Sequence, residues 1–278
     1  MTSTDPAGSA PPPASPSLPH HHVHVLDLEG KRGASFALPL AFSLPVRPDL
    51  IHRAVVASQS QRRQPYGTSP TAGLRHSTQW SGKGKGVART PRLMDSMRGA
   101  QAPNTVGGRP AHPPRAERIW GKKINHKARR LAFASALAAT RETKLASARG
   151  HHVPHGLTLP LVLDDPVEEV RTSSAARRVL EHLKLWADVE RAHARTHFTS
   201  SGRARRRGRV RRTPRSLLVV TSSPGKALGF RNLAGVEVVS APQLNTEDLA
   251  PGGDAGRLTI FSRGAVESLR ARLGETAP

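Results

Sequence analysis

Residues 59–119 contain no apolar pattern that could bury a helix or a strand, and this feature restricts the fold more than any other. The segment holds seven prolines, and no apolar face continues for even two helical turns. A run of about 60 residues without regular structure is unusual inside a compact domain, unless it is functional or disordered. Tyr66, Trp80 and Trp120 lie in or next to it among Arg and Lys residues. Because such a mixture suits stacking on bases and binding of phosphates, we interpret 59–119 as a functional loop.

The positive charge of the chain is concentrated in the same region. The 278 residues carry a formal net charge of +23. Residues 47–130 hold 18 basic and 3 acidic side chains, and residues 203–215 hold eight arginines and no acid. These two segments account for the whole excess, because the other 181 residues carry 17 basic and 17 acidic side chains and so have no net charge. A neutral body with two cationic segments predicts a polyanionic partner that is contacted at two places.

Composition also excludes several classes of protein. The chain has no cysteine, which excludes disulfides, cysteine-ligated zinc, iron–sulfur clusters and cysteine nucleophiles. No apolar run reaches the roughly 18 residues that a membrane-spanning helix needs. Residues 1–19 lack the basic and apolar regions of a secretory signal. We therefore expect no membrane association.

Strand and helix patterns alternate outside the loop. The apolar patterns predict strands at 23–28, 159–163, 217–220, 236–239 and 258–261, and helices from Pro48, over 125–145, over 172–187, after 221–224 and from Ser262. Alternation of this kind predicts the α/β class: a mostly parallel sheet with helices on both faces, a Rossmann-like body, with a long extended irregular loop. We expect a single domain over 23–278, interrupted by the loop 59–119 and the Arg-rich segment 203–215. Residues 1–22 are expected to form a disordered Pro/His-rich tail.

The candidate enzymatic motifs in this sequence do not match the spacing of known sites. Residues 81–86 (SGKGKG) and 223–226 (SPGK) are rich in Gly or Lys, but neither matches the spacing of a dinucleotide-binding or phosphate-binding loop. The acidic pairs at 164–165, 168–169 and 247–248 lie beside a proline or at helix starts, where capping explains them. The histidines at 20–24 and 151–155 match no metal-ligand spacing. We predict no catalytic residues, no metal, no cofactor and no enzymatic activity. The alternative is an RNA-modifying or nucleotide-binding α/β enzyme.

The candidate RNA-binding residues are cations and aromatic rings. Glycines at 82, 84 and 86 allow backbone amides to approach phosphates, and arginine pairs with phosphate through two donors at once. Cations at the start of the helix predicted from 125 oppose its dipole, so we expect an external anion there. The segment 203–215 also fits a nuclear-localisation signal, although its place between structured elements favours a segment ordered by RNA. The predicted contacts are Arg62, Arg63, Tyr66, Arg75, Trp80, Lys83, Lys85, Arg89, Arg92, Arg98, Arg109, Arg115, Lys122, Lys123, Lys127, Arg205, Arg206, Arg207, Arg209, Arg211 and Arg212.

Several longer motifs follow one another along the chain. They are 62–68 (RRQPYGT), 82–92 (GKGKGVARTPR), 106–114 (VGGRPAHPP), 233–238 (LAGVEV) and 244–253 (LNTEDLAPGG). Together they resemble large-subunit ribosomal protein four in its archaeal and eukaryotic branch, and the resemblance extends from about residue 23 to residue 269. Residues 93–99 (LMDSMRG) depart from it, because relatives are usually rich in Gly and Arg there. The short stretch after Leu269 favours an archaeal source.

The resemblance implies a structural and assembly-directing role on the ribosome, in the cytoplasm. The family's body lies on the outside of the large subunit, and its loop penetrates the rRNA and lines the peptide exit tunnel at the constriction. The implied partners are large-subunit rRNA and neighbouring large-subunit proteins, including the protein that forms the opposite wall of the constriction. The loop tip is expected at 70–85, with Leu74, Arg75, His76 and Ser77 as the residues that line the tunnel. A general architectural DNA-binding protein is a third hypothesis, which equal affinity for duplex DNA would favour.

Overall fold

The computed structural model describes residues 22–80, 82–154 and 156–274, and it divides the chain into two compact units. One unit, which we call the body, combines the chain up to Val56 with residues 124 onward. The other, the loop unit, is Ala57–Lys123. The predicted tail lies outside the described residues except for His22, which is the first residue of the first strand.

The order of elements alternates between strands and helices. The strands are β1 His22–Leu26, β2 Arg32–Ala37, β3 Thr78–Trp80, β4 Pro91–Leu93, β5 Leu161–Leu163, β6 His197–Phe198, β7 Arg211–Arg212, β8 Leu218–Thr221, β9 Glu237–Ser240 and β10 Thr259–Ser262. The helices are α1 Pro48–Gln61, α2 His126–Ala139, α3 Thr143–Ala148, α4 Ser173–His182, α5 Trp186–Ala194, α6 Gly202–Arg206, α7 Leu228–Arg231, α8 Thr246–Leu249 and α9 Arg263–Leu273. Short 3-10 helices lie at Leu40–Ser43, Asp165–Glu169 and Pro251–Gly253. No helix in the described ranges could cross a membrane.

Six strands form the central sheet of the body, in the order β2-β1-β5-β10-β8-β9. β2 pairs with β1 in antiparallel orientation, and the other four pairings are parallel. The predicted mostly parallel sheet is therefore confirmed. β2 was not predicted from the sequence, because its residues (RGASFA) are mostly exposed at the edge and carry no alternation of apolar and polar side chains.

Helices cover both faces of this sheet, as predicted. Leu218 and Val220 of β8 belong to one buried cluster, with residues of α1, α2 and α9. Their neighbours Leu217 and Val219 belong to a second cluster, with residues of α4, α5 and α7. Because successive side chains of a strand point to opposite faces, this division shows one apolar core on each side of the sheet. Continuous apolar runs such as LLVV are the sequence signal of strands buried on both faces.

Two predicted helices are each divided in the structure. The helix expected over 125–145 ends at Ala139, where the side chain of Thr140 donates to the carbonyl of Leu137, and α3 follows. The helix expected over 172–187 ends at His182, with Leu183 as its C-cap. Lys184 adopts a left-handed conformation, with a φ of 58°, and the amide of Leu185 donates to the carbonyl of Leu180. This is a Schellman ending, which allows both Leu183 and Leu185 to be buried.

A substitution at Gly235 should destabilise the body strongly. Gly235 has a φ of 73°, and an added Cβ would lie 2.2 Å from the carbonyl oxygen of Pro214. In the variant G235A, the left-handed conformation of alanine should lower the free energy of unfolding by about 1–2 kcal/mol. The added Cβ must also displace the backbone at Pro214, which lowers it further. G274A is the matched control, because Gly274 has a φ of 80° but no atom within 4 Å of the added Cβ. Urea denaturation should show a larger loss for G235A; equal losses would contradict the steric argument.

Candidate nucleic-acid interface

The loop unit exposes an excess of positive charge. It contains thirteen Lys and Arg residues against Asp95 and Glu117. Among the described residues, no ion pair involves Lys83, Lys85, Arg89, Arg98, Arg109 or Arg115. The predicted contacts of this unit that are exposed are Arg62, Arg63, Tyr66, Arg75, Trp80, Lys83, Lys85, Arg89, Arg98, Arg109, Arg115, Lys122 and Lys123. A surface of this kind favours a polyanion as its source of countercharge.

The short hairpin of β3 and β4 organises the centre of the loop unit and was not predicted. Its strands pair Thr78 with Leu93 and Trp80 with Pro91. Between the strands, the glycines at 82, 84 and 86 all have positive φ values, of 71°, 81° and 66°. Side chains rarely adopt this conformation, so glycine is required to place two lysines, Lys83 and Lys85, at the turn. Trp80 enters this turn with 68% of its surface exposed.

Arg92 differs from the other predicted contacts of the loop unit. It is half-buried, and its guanidinium donates to the carbonyls of Met97, at 2.8 Å, and Ala88, at 3.2 Å. The structure thus places Arg92 in β4, where its side chain holds the backbone on both sides of that strand. Sequence analysis could not separate this arginine from its exposed neighbours, because the difference depends on the fold of the turn.

Two aromatic rings that are distant in sequence stack on each other in the loop unit. The rings of Tyr66 and Trp120 have centroids 5.2 Å apart and planes inclined by 26°. The guanidinium of Arg118 lies 4.6 Å from the centroid of Trp120. Both the amide and the hydroxyl of Thr68 donate to the carbonyl of Pro114, which joins the same two chain segments. Tyr66 therefore has a protein ring on one side, a pairing that the sequence did not predict.

The predicted tunnel residues form one exposed stretch of the loop unit. Leu74 has 42% of its surface exposed, and Arg75, His76 and Ser77 are exposed as well. The side-chain amide of Gln101 donates to the carbonyls of Leu74 and His76. This stretch is thus held to a neighbouring segment through its backbone, and its side chains are left accessible.

The Arg-rich segment forms a hairpin on the body. β6 pairs with β7, and α6 lies between them, so that residues 197–212 make up a unit that we call the arginine hairpin. The guanidinium of Arg205 donates to the carbonyls of Thr199 and Ser200 and closes the turn. All six predicted contacts here are exposed: Arg205, Arg206, Arg207, Arg209, Arg211 and Arg212. We expected RNA to order this segment, and within the protein strand pairing and these hydrogen bonds already satisfy part of its backbone.

The N-terminus of α2 is a third cationic surface. The side chain of Asn125 caps the helix by accepting from the amide of Lys127, and the first turn contains no acid. Lys127 is exposed, as are Arg129 and Arg130, and all three border a cavity of about 850 Å³. An external anion that compensates these charges stays a prediction.

One cationic groove of the body was missed at the sequence level. A cavity of about 1160 Å³ is bordered by Arg149, Arg191, Arg195, Arg212 and Arg215. Burial, followed by the nearby charge of Arg257, lowers the pKa of Arg149, which donates to the carbonyls of Pro251 and Asp254. Arg191 and Arg195 lie four residues apart at the end of α5. The spacing could have indicated a common face, but α5 itself was not predicted.

The crevice where a doubly wound sheet binds nucleotides is occupied by an internal ion pair here. At the carboxyl ends of β5, β8 and β10, the carboxylate of Glu168 accepts from Ser222, Ser262 and Lys226. Burial raises the pKa of Glu168, but these hydrogen bonds outweigh it and leave the pKa below its usual value. Lys226 is the lysine of the 223–226 motif. Its ammonium forms an ion pair with Glu168. Within the described ranges, no three His, Asp or Glu side chains are grouped to hold a metal.

Comparison with known proteins identifies the family of this chain. A model described as the ribosomal protein L4/L1 family matches residues 36–272, which include the loop unit and the arginine hairpin. The chain belongs to this family. Its L4-type sequence is 45% identical over 260 residues to large ribosomal subunit protein uL4 of Methanopyrus kandleri, an alignment that covers 90% of this chain and 98% of that protein.

Two further relatives agree with this assignment to the L4 family. The uL4 protein of Methanosphaera stadtmanae is 43% identical over 248 residues, covering 89% of this chain and 95% of the relative. The uL4 protein of Halobacterium salinarum is 42% identical over 252 residues, covering 90% and 99%. All three relatives are archaeal, which supports the archaeal branch. The chain is therefore a structural ribosomal protein of the large subunit, from a family that is generally not enzymatic.

Proposed function

We propose that this protein binds large-subunit rRNA early in assembly and lines the nascent-peptide exit tunnel with its loop unit. The observation that carries this proposal is a set of exposed cations in the loop unit, together with exposed Trp80 and Tyr66. The cations without an ion pair among the described residues are Lys83, Lys85, Arg89, Arg98, Arg109 and Arg115. Lysine and arginine neutralise phosphates and release counterions, while aromatic rings stack on unpaired bases. The three uL4 relatives support a site on the large subunit.

The body contributes the second contact in this proposal. The arginine hairpin and the arginine-lined groove both include Arg212, so the two surfaces are continuous at that residue. Arg195 and Arg212 are exposed, and neither forms an ion pair with a described carboxylate. A phosphate chain that follows the hairpin could thus enter the groove beside α5. Neighbouring large-subunit proteins, including the one on the opposite tunnel wall, complete the proposed partners.

The stretch 74–77 is the part of the loop unit that we propose to face the nascent chain. It combines one apolar side chain, Leu74, with the polar side chains of Arg75, His76 and Ser77, all accessible. Its backbone carbonyls are held by Gln101, so the stretch has a defined conformation. Such a surface can pass peptides of varied composition, because it offers no continuous apolar patch for them to adhere to.

A cysteine crosslinking experiment tests this proposal. The chain contains no cysteine, so S77C introduces a single thiol. In translating ribosomes, we expect the S77C protein to sediment with large subunits and to form a disulfide with a cysteine placed in a stalled nascent chain. S174C, on the exposed side of α4, is the control and should sediment in the same way without crosslinking. Sedimentation without any S77C crosslink would contradict the tunnel assignment, and failure to sediment would contradict the ribosomal role.

The enzyme alternative makes a separate prediction about small ligands. A nucleotide-binding α/β enzyme should bind a nucleotide or methyl donor at the crevice beside Glu168. The engaged ammonium of Lys226 and the carboxylates of Asp165 and Glu169 at that crevice disfavour an anionic ligand. Calorimetric titration with ATP should therefore show no saturable binding. S-adenosylmethionine is cationic and is not repelled there, but no binding is expected either, because the family is generally not enzymatic. A saturable isotherm with either ligand would revive the alternative.

A further inference from the structure

Phe198 is an exposed aromatic ring on the arginine hairpin. It lies in β6 with 63% of its surface exposed, whereas the phenylalanines at 42, 133, 230 and 261 are buried in the body. The chain has six phenylalanines, and the remaining one, Phe36, is half-buried beside the apolar core. Phe198 contributes to neither core cluster, so its ring does not stabilise the fold by burial.

The hairpin holds this ring next to a guanidinium. Phe198 is paired across the two strands with Arg211, and the guanidinium carbon of Arg211 lies 5.7 Å from the ring centroid. The amide of Thr199 donates to the carbonyl of Val210 at 2.8 Å and continues the pairing of the strands. Backbone pairing therefore fixes the position of the ring, and the cation stays within the range of a cation–π contact.

The charged residues around Phe198 indicate the chemical class of its partner. Residues 197–212 include seven arginines and no Asp or Glu. A protein partner with an apolar pocket for Phe198 would also need to bring many carboxylates to one small hairpin. An RNA chain supplies phosphates at every nucleotide, and each unpaired base offers a flat apolar face. The combination of an exposed ring and seven cations therefore favours RNA with an unpaired nucleotide over a fully paired helix, whose bases are already stacked.

We propose that Phe198 and Arg211 form a stacking site for one unpaired base of rRNA. The surrounding arginines bind the flanking phosphates, and the base lies on the ring as on the platforms of single-strand binding proteins. This inference rests on the proposed rRNA binding and specifies which feature of the RNA the hairpin recognises. It assigns a contact to a residue that charge patterns alone do not single out.

Fluorine NMR of the full-length protein tests the site directly. The protein is prepared with 4-fluorophenylalanine, and the Phe198 signal is assigned by its loss in F198L. The probes are an RNA hairpin with one bulged adenosine and the same hairpin without the bulge. We expect the bulged RNA to shift the Phe198 resonance upfield through the ring current of the stacked base. The fully paired RNA should shift it less, and the five other resonances should stay in place with both.

Affinity measurements with matched variants provide the second readout. F198A should weaken binding of the bulged hairpin by about 5- to 150-fold, the range for loss of one stacked base. F198Y keeps the ring and should restore binding. V210A is the control, because Val210 is an exposed apolar side chain of the same hairpin without a ring. Since phosphate contacts are retained, the salt dependence of F198A should equal that of the wild type.

The outcomes separate this inference from the proposed function. If the protein binds both RNAs with strong salt dependence but the Phe198 resonance does not move, the stacking site is wrong and rRNA binding stands. Equal losses of affinity in F198A and V210A would also overturn it. If the protein binds neither RNA, the proposed rRNA binding itself fails.

Discussion

Raising the salt concentration from 50 to 200 mM should weaken binding of naked large-subunit rRNA by about 10³- to 10⁵-fold. This range applies to a protein that contacts roughly six to ten phosphates, by analogy with duplex DNA. The exposed cations of the loop unit and the arginine hairpin are more than sufficient in number. Filter binding at a series of salt concentrations gives the slope of log affinity against log salt. A slope close to zero would exclude phosphate contacts as the main source of affinity.

Matched double variants locate the contacts that produce this slope. R206A/R207A removes two exposed cations of the arginine hairpin and should reduce the slope by about 2, one unit for each lost phosphate contact. R178A/R231A removes two exposed arginines of α4 and α7, outside both cationic segments, and should leave the slope unchanged. Competition with duplex DNA of equal length separates an rRNA-binding protein from a general DNA-binding protein. Equal slopes for the two variants would contradict the role of the hairpin.

The variant D188A should lower the free energy of unfolding by about 3–5 kcal/mol, the usual cost of removing one partner of a buried ion pair. Asp188 is fully buried on α5. One carboxylate oxygen accepts from the Arg191 guanidinium at 2.9 Å and from the amide of His152 at 3.0 Å. The other lies 3.1 Å from His151 Nδ1 and accepts from the Ser216 hydroxyl at 2.7 Å. The carboxylate thus joins α5 to the segment before β5 and to the start of β8.

Chemical denaturation measures this loss, and an exposed pair provides the control. E181A removes the partner of Arg177 on α4, where the side chains are 58% and 45% exposed for Arg177 and Glu181. Solvent screens that pair, so E181A should cost no more than about 0.5 kcal/mol. A loss in D188A as small as that in E181A would show that the buried network contributes little to stability.

The contribution of Asp188 should also depend on pH. Burial raises the pKa of Asp188, but hydrogen bonds from His151 and Arg191 outweigh it and hold the pKa well below its usual range. A depressed folded pKa stabilises the protein above the unfolded value, about 3.9, and this stability is lost as the pH falls toward the folded value. The difference in stability between the wild type and D188A should therefore be constant near neutral pH and shrink below about pH 4. If the difference in stability between the wild type and D188A grew on acidification, the pKa of Asp188 in the folded protein would be raised and not lowered.

The strands of the sheet were predictable because burial on both faces leaves a strong signal. Runs such as LLVV at 217–220 and LTIF at 258–261 are apolar at successive positions, and each lies within one or two residues of an observed strand. Helix ends were less predictable. The division between α4 and α5 depends on a left-handed Lys184, which is not a residue type that marks such an ending. β2 and the arginine hairpin carry too few apolar side chains to be recognised.

The candidate interface was predicted in composition but not in geometry. Clustered Lys and Arg residues indicate a polyanion whatever the fold, and nearly all the predicted contacts are exposed. Sequence spacing did not reveal that Arg92 is occupied by backbone carbonyls, or that Arg149 and Arg195 border one groove. It also did not reveal that Tyr66 stacks on Trp120. Each of these depends on a contact between residues that are brought together only by folding.

By itself, the sequence determined the α/β class, the positions of the buried strands, the two cationic segments and membership of the L4 family. These properties follow from local patterns of apolar and charged residues, which do not change with the path of the chain. Only the tertiary structure decided which cations are exposed, that residues 197–212 form a paired hairpin, and that Phe198 is exposed on it beside Arg211. The physical reason is that exposure and pairing depend on contacts between distant parts of the chain. A side chain becomes available to a partner only when the rest of the protein leaves it uncovered.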